Sequence, residues 1–222
     1  MKARYFLICG LITLCTAMAS LVALPHLPSV VASHWDLHGN VNGYSSRGTL
    51  AVLQPAMMAG SMLLFALLPF LSPRHFEVES FQSTYLYFML VITVGLAYFH
   101  GLMLWSAWLG RPPTPQALFG GVYVLLVLLG NAMPKVRRNF FMGVRTPWAL
   151  ADERVWYATH RLAAKTIVAS GLIGLVAVFV LSSLWLNIVA MVVVVGFGVV
   201  VPAVYSFVYY KRLERQGTSL QS

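Results

Sequence analysis

Residues 166–210 read TIVASGLIGLVAVFVLSSLWLNIVAMVVVVGFGVVVPAVYSFVYY, forty-five positions without one formal charge. As a helix rising about 1.5 Å per residue, that run covers about 68 Å, more than twice the ~30 Å of bilayer hydrocarbon. It must therefore fold back once. Ser182, Ser183 and Asn187 form the polar break, so the run divides into spans Thr166–Leu184 and Asn187–Tyr210 joined by a tight turn.

Working outward, four more stretches have the length and apolarity of a span: Tyr5–Leu24, Leu50–Leu71, Tyr85–Leu109 and Ala117–Met133. Of the 222 residues, 59% are hydrophobic and only 9% charged, against roughly a quarter charged in a soluble domain. The apolar residues fall in blocks rather than in alternating or one-faced patterns, and no soluble domain fits between them. The sequence predicts an all-α membrane protein: a six-transmembrane-helix bundle with an outer loop domain and a cytoplasmic interfacial amphipathic helix. Its halves are residues 1–110, with three spans and the outer loop 25–49, and residues 111–222, with three spans and the cytoplasmic loop 134–165. Ala17-Met18-Ala19 resembles a signal-peptidase site, but the apolar run continues to Leu24, so the first block reads as a retained helix.

Basic residues set the orientation. Counting alternate sides, one side holds thirteen Lys and Arg, from Lys2 and Arg4 through Arg74 and the 134–165 loop to Arg215; the other holds Arg47 and Arg111. By the positive-inside rule the first side is cytoplasmic, which places both termini there and the chain in a bacterial inner membrane. The net charge of +9 then faces an anionic leaflet and needs no nucleic acid. Trp105, Trp108 and Trp185 fall at the outer interface, and Tyr205, Tyr209 and Tyr210 at the inner one. Both cysteines, Cys9 and Cys15, lie in the first span and support neither a disulfide framework nor a thiolate metal site.

Two connecting segments carry chemistry. In the outer one, His34, Asp36 and His38 share a face if the chain is extended, and imidazole and carboxylate suit zinc, with His26 as a further donor. The same segment holds Gly39, Asn40, Asn42 and Gly43, the composition of a hydrogen-bonded loop, which is the favoured reading. In the inner segment, Thr146 can cap a helix with Pro147 in its first turn. Trp148, Val155 and Leu162 recur every seven residues along it. Asn131, Asn139, Arg145, Thr146, His160 and Arg161 put many hydrogen-bonding groups near membrane depth, where they need partners; with Trp148 and Trp156 they form the candidate ligand or partner site. Asn139, Arg145 and His160 are expected to converge, with Arg145 on carbonyls at the end of the fourth span, Asn131 or Asp152. His100, inside the third span, is expected to stay neutral and bond a neighbouring helix.

Gly130-Asn131-x-Met133-Pro134-Lys135, Asn139-Phe140-Phe141-x-Gly143-x-Arg145-Thr146-Pro147-Trp148-x-Leu150, Val155-Trp156 and Thr159-His160-Arg161 resemble the signature of the SdpI immunity-protein family. Leu27-Pro28, His34-Trp35-Asp36, Gly39 and Gly43-Tyr44 resemble the small domain of unknown function that often precedes it. Ala149 and Ala151 stand where Thr and Ser are more usual. The resemblance implies a multi-helix membrane protein giving immunity to a secreted peptide toxin, and, by analogy with a signalling member, recruiting a cytoplasmic repressor. The alternatives are a small membrane metalloprotein or enzyme built on His34, Asp36 and His38, and a transporter. Against a cation pathway, the chain has six acidic residues and none lies within a span. No phosphate loop, Ser–His–Asp grouping or HExxH helix is present, so no catalytic residue is assigned.

Overall fold

A computed structural model of the chain describes residues 2–36, 40–71 and 78–219, the side chains of the last two excepted. Helix α1 (Lys2–Ala23) leads into a hairpin of β1 (Val30–Trp35) and β2 (Val41–Ser46). Then come α2 (Arg47–Leu71), α3 (Gln82–Leu109), α4 (Pro115–Ala132), the short α5 (Pro147–Ala151), α6 (Glu153–Val180) and α7 (Leu184–Ser219). All but α5 are long and apolar enough to cross a membrane, so the six expected spans are present.

Contacts between helix ends show that the first three spans alternate in direction. Lys2 at the start of α1 meets Glu79 just before α3 at 3.7 Å. At the opposite end the Arg47 guanidinium donates to the Leu27 carbonyl at 3.1 Å, tying the start of α2 to the chain leaving α1. The hairpin caps that end, with Val31 and Leu27 buried against Ala107 near the end of α3. Residues 133–152 lie at the other, where Pro134, Lys135 and Arg137 line one cleft with Glu79, and we call it the loop end.

The bundle forms two groups of three. Helices α1, α2 and α3 pack together, and α6 is held between α4 and α7. Between lipid-facing helices there is little hydrophobic drive, so close approach over small residues matters more. A Cβ added at Gly171 would stand 2.8 Å from the Tyr123 carbonyl oxygen, so α4 and α6 meet almost backbone to backbone. His100 is buried and bonds the Ser20 hydroxyl of α1 at 2.6 Å, the bond to a neighbouring helix that the sequence led us to expect.

One element differs from expectation. The amphipathic stretch after Thr146 is not a separate interfacial helix but is divided at Asp152, which is extended (φ −134°, ψ 129°). The Asp152 side chain caps α6, accepting from the Arg154 amide at 2.7 Å. With no Pro or Gly between residues 153 and 166 to stop it, the helix then runs unbroken into the fifth span. Val155, Trp156 and Leu162 are thus the first turns of α6, and Trp148 sits apart on α5.

Candidate functional site

The loop-end segment 133–160 wraps the start of α6 and is held from inside by two buried polar side chains. Asn139 is fully buried. Its Oδ1 accepts from the Phe141 and Met142 amides at 2.7 and 2.8 Å. Its Nδ2 donates to the Arg137 and Met142 carbonyls at 2.7 and 3.2 Å. One side chain thereby satisfies four backbone groups of a chain that has no secondary structure to satisfy them.

His160 does the same for the next stretch. Its Nδ1 bonds the Trp156 carbonyl at 2.9 Å, and its Nε2 bonds the Val144 amide at 3.1 Å. A carbonyl only accepts and an amide N–H only donates, so Nδ1 carries the hydrogen and Nε2 is bare. The ring is neutral, with both nitrogens engaged, which leaves no lone pair for a metal or for acid–base work. It stacks on Trp156 with centroids 4.0 Å apart, and the Trp156 Nε1–H donates to the Val136 carbonyl at 2.8 Å. Gly143 passes over the ring at φ +98°, a conformation that favours glycine, and any Cβ there would collide with Nε2.

Thr146 ties this knot to the last helix. Its hydroxyl accepts from the Ala149 amide at 3.2 Å as the α5 cap. The same hydroxyl bonds Ser206 of α7 at 2.7 Å. Ser206 gives its own hydrogen to the Ala203 carbonyl at 2.6 Å, so Thr146 is the donor between them. Trp148 packs on Phe207, ring centroids 4.9 Å apart.

The eight residues singled out in the sequence therefore divide in two. Asn139, Trp156 and His160 are buried and, with Thr146 and Trp148, bind the segment to itself and to α7. Asn131, Arg145 and Arg161 are exposed. Arg145 bonds the Phe140 carbonyl within its own loop; the expected partners were the end of α4, Asn131 or Asp152. Asp152 instead holds Arg154 at 2.7 Å. That pairing, through its hydrogen bond first, keeps the Asp152 carboxyl below the usual carboxylate range against the opposing effect of burial. Sequence reasoning missed Ser206 and quoted the buried Thr159 only as part of a motif; the Thr159 hydroxyl has no partner among the described residues. A hydroxyl inside an apolar span is the only signal that marks Ser206.

At the hairpin end, His34 bonds the Asn42 side chain, and the Asp36 carboxylate accepts from the Asn40 amide at 2.9 Å. The His26 ring stacks on Trp108, centroids 6.0 Å apart. Among the described residues no three His, Cys, Asp or Glu gather in a way that could hold a metal. His38, the third member of the proposed zinc set, lies outside those residues.

Residues 135–206 match the model of the SdpI/YfhL protein family, and residues 11–59 match a domain of unknown function, DUF1648. The first match contains the whole buried knot; the second runs from α1 through the hairpin into α2. The chain is also 28% identical over 208 residues to the immunity protein SdpI of Bacillus subtilis, covering 93% of this chain and 96% of that one. No solved structure matches. The resemblance read from the motifs is thus borne out.

Proposed function

We propose, from the SdpI/YfhL-family region that makes up residues 135–206, that this chain is a membrane immunity protein protecting its producer from a secreted peptide toxin. One observation carries the reading: similarity to an immunity protein runs over nearly the full length of both chains, so the hairpin region and the loop-end region occur together in each. The geometry suits a binding protein. The polar side chains at the loop end are spent on holding backbone, and no nucleophile–base pair is assigned among them.

In this reading the chain lies in a bacterial cytoplasmic membrane with its loop end and both termini inside. The hairpin end meets the toxin, and the inner face carries Asn131, Arg145 and Arg161 outward toward a cytoplasmic partner such as a repressor. Asn139, His160 and Trp156 shape that face without touching the partner. Protection is the test. Toxin-sensitive cells producing the chain should survive a dose of secreted peptide toxin that kills cells carrying an empty vector, and equal killing would overturn the proposal.

A further inference from the structure

A cleft of about 720 Å³ opens at the loop end between the two halves of the bundle. Glu79, Gln82 and Thr84 form one wall, and Lys135, Arg137 and Tyr157 the other. Its lining carries two cations, Lys135 and Arg137, against one carboxylate, Glu79. Glu79 faces Lys2 at 3.7 Å, whereas no carboxylate among the described residues pairs with Lys135 or Arg137. The Tyr157 hydroxyl accepts from Arg137 Nη1 at 3.3 Å and holds the guanidinium at the cleft while leaving its other hydrogens free. Two cations at the rim of a cavity, at the level where the apolar spans end, are the chemistry that recognises a phosphodiester.

A second cavity, of about 350 Å³, adjoins the first and shares Glu79 and Gln82 with it. Its walls are chiefly apolar, with Phe65, Phe70, Tyr85 and Leu86 among them. An anion bound at Lys135 and Arg137 thus sits beside a chiefly apolar crevice between α1, α2 and α3.

We infer that this paired cleft and crevice is a site for an anionic phospholipid, with its phosphodiester on Lys135 and Arg137 and an acyl chain lying against α2 and α3. The lipid bridges the SdpI-type region, which supplies the cations, to the first turns of α3. The adjoining crevice favours a lipid over free phosphate, which would use only the first cavity. This inference rests on the membrane reading alone and stands or falls independently of toxin immunity.

The test is thermal unfolding of the full chain in a neutral detergent, titrated with dihexanoyl phosphatidylglycerol, dihexanoyl phosphatidylcholine or inorganic phosphate. The wild type should show a dose-dependent rise in unfolding temperature with phosphatidylglycerol only. Replacing both cations (Lys135→Gln with Arg137→Gln) should raise the half-maximal concentration about thirtyfold, from roughly fivefold per lost charge. Should that variant fail to fold, Ser83→Glu, which puts a second carboxylate into the same cleft while keeping both cations, should weaken the response instead. Lys211→Gln with Arg212→Gln, on α7 and outside the cleft, should leave the titration unchanged. An unaltered titration in the cleft variants, an equal loss in the α7 variant, or an equal rise with phosphatidylcholine would each overturn the site. A full rise with inorganic phosphate alone would overturn the lipid as its occupant.

Discussion

His160 Nε2 accepts the Val144 amide hydrogen at 3.1 Å, and sixteen residues of chain are closed over a neutral imidazole by that bond. Because the opposite nitrogen is fixed by the Trp156 carbonyl, the ring has one tautomer and one orientation. His160→Ala would orphan the Val144 amide and remove the stack on Trp156. We expect it to cost about 3 kcal/mol of stability, read as detergent unfolding of the purified chain. A change below about 0.5 kcal/mol, the size seen for uninvolved surface positions, would show that the ring holds nothing.

Gly143 and His160 should be coupled. Gly143→Ala strains a positive φ and drives a methyl into the imidazole. Its cost should be clearly larger with His160 present than in a His160→Ala background, where only the backbone strain remains. Equal costs in the two backgrounds would mean that the collision is relieved elsewhere.

Asn139→Ala leaves four backbone groups of residues 137–142 without their partner. A loss of about 3 kcal/mol is expected. Asn139→Asp should not rescue it, because a carboxylate cannot donate to the Arg137 and Met142 carbonyls; an aspartate variant as stable as wild type would contradict the assignment.

The Thr146–Ser206 bond joins α5 to α7. A double-mutant cycle of Thr146→Val and Ser206→Ala should return a coupling of about 1 kcal/mol, the usual size for a hydrogen bond between membrane helices. Additive losses would separate the loop from the last helix.

Asp152 gives a pH dependence. Its carboxyl titrates below its ordinary value of 3.8 because the folded state favours the charged form. That stabilisation is fully present above 3.8 and is lost as the pH falls through the lower folded value. Asp152→Ala should therefore cost about 1 kcal/mol at neutral pH, through the lost helix cap, and less at the acid end. A cost that grows on acidification would reverse the sign and remove the cap.

The spans were legible because each is a long uncharged run, a property of the sequence itself. The start of α6 was not. The seven-residue recurrence of Trp148, Val155 and Leu162 suggested one interfacial helix, whereas the extended Asp152 sets Trp148 apart and starts a helix that nothing stops before the bilayer. Motif spacing marked the loop-end residues but could not say which faced inward. Asn139 and His160 are buried while Asn131 and Arg161, of similar chemistry, are exposed, because burial depends on partners such as Val144 and Ser206 that lie elsewhere in the chain. Arg145 found its carbonyl within the loop, at Phe140, because Asn139 folds that loop back on itself. The hairpin was read chiefly as a hydrogen-bonded loop, with an extended zinc-holding run as the alternative. Its strands alternate weakly, and they pair with a register shift around His34.

Survival under toxin, normalised to folded yield, bears most directly on the immunity proposal. Sensitive cells would express the wild type, Arg145→Ala with Arg161→Ala, and His160→Ala, and be challenged with secreted peptide toxin while detergent-folded protein is measured from the same cultures. The wild type should protect. The exposed arginine pair should change protection or signalling at normal yield, and His160→Ala should lose protection only as its yield falls. Wild-type cells dying as fast as vector controls, with the protein folded in their membranes, would contradict the immunity role.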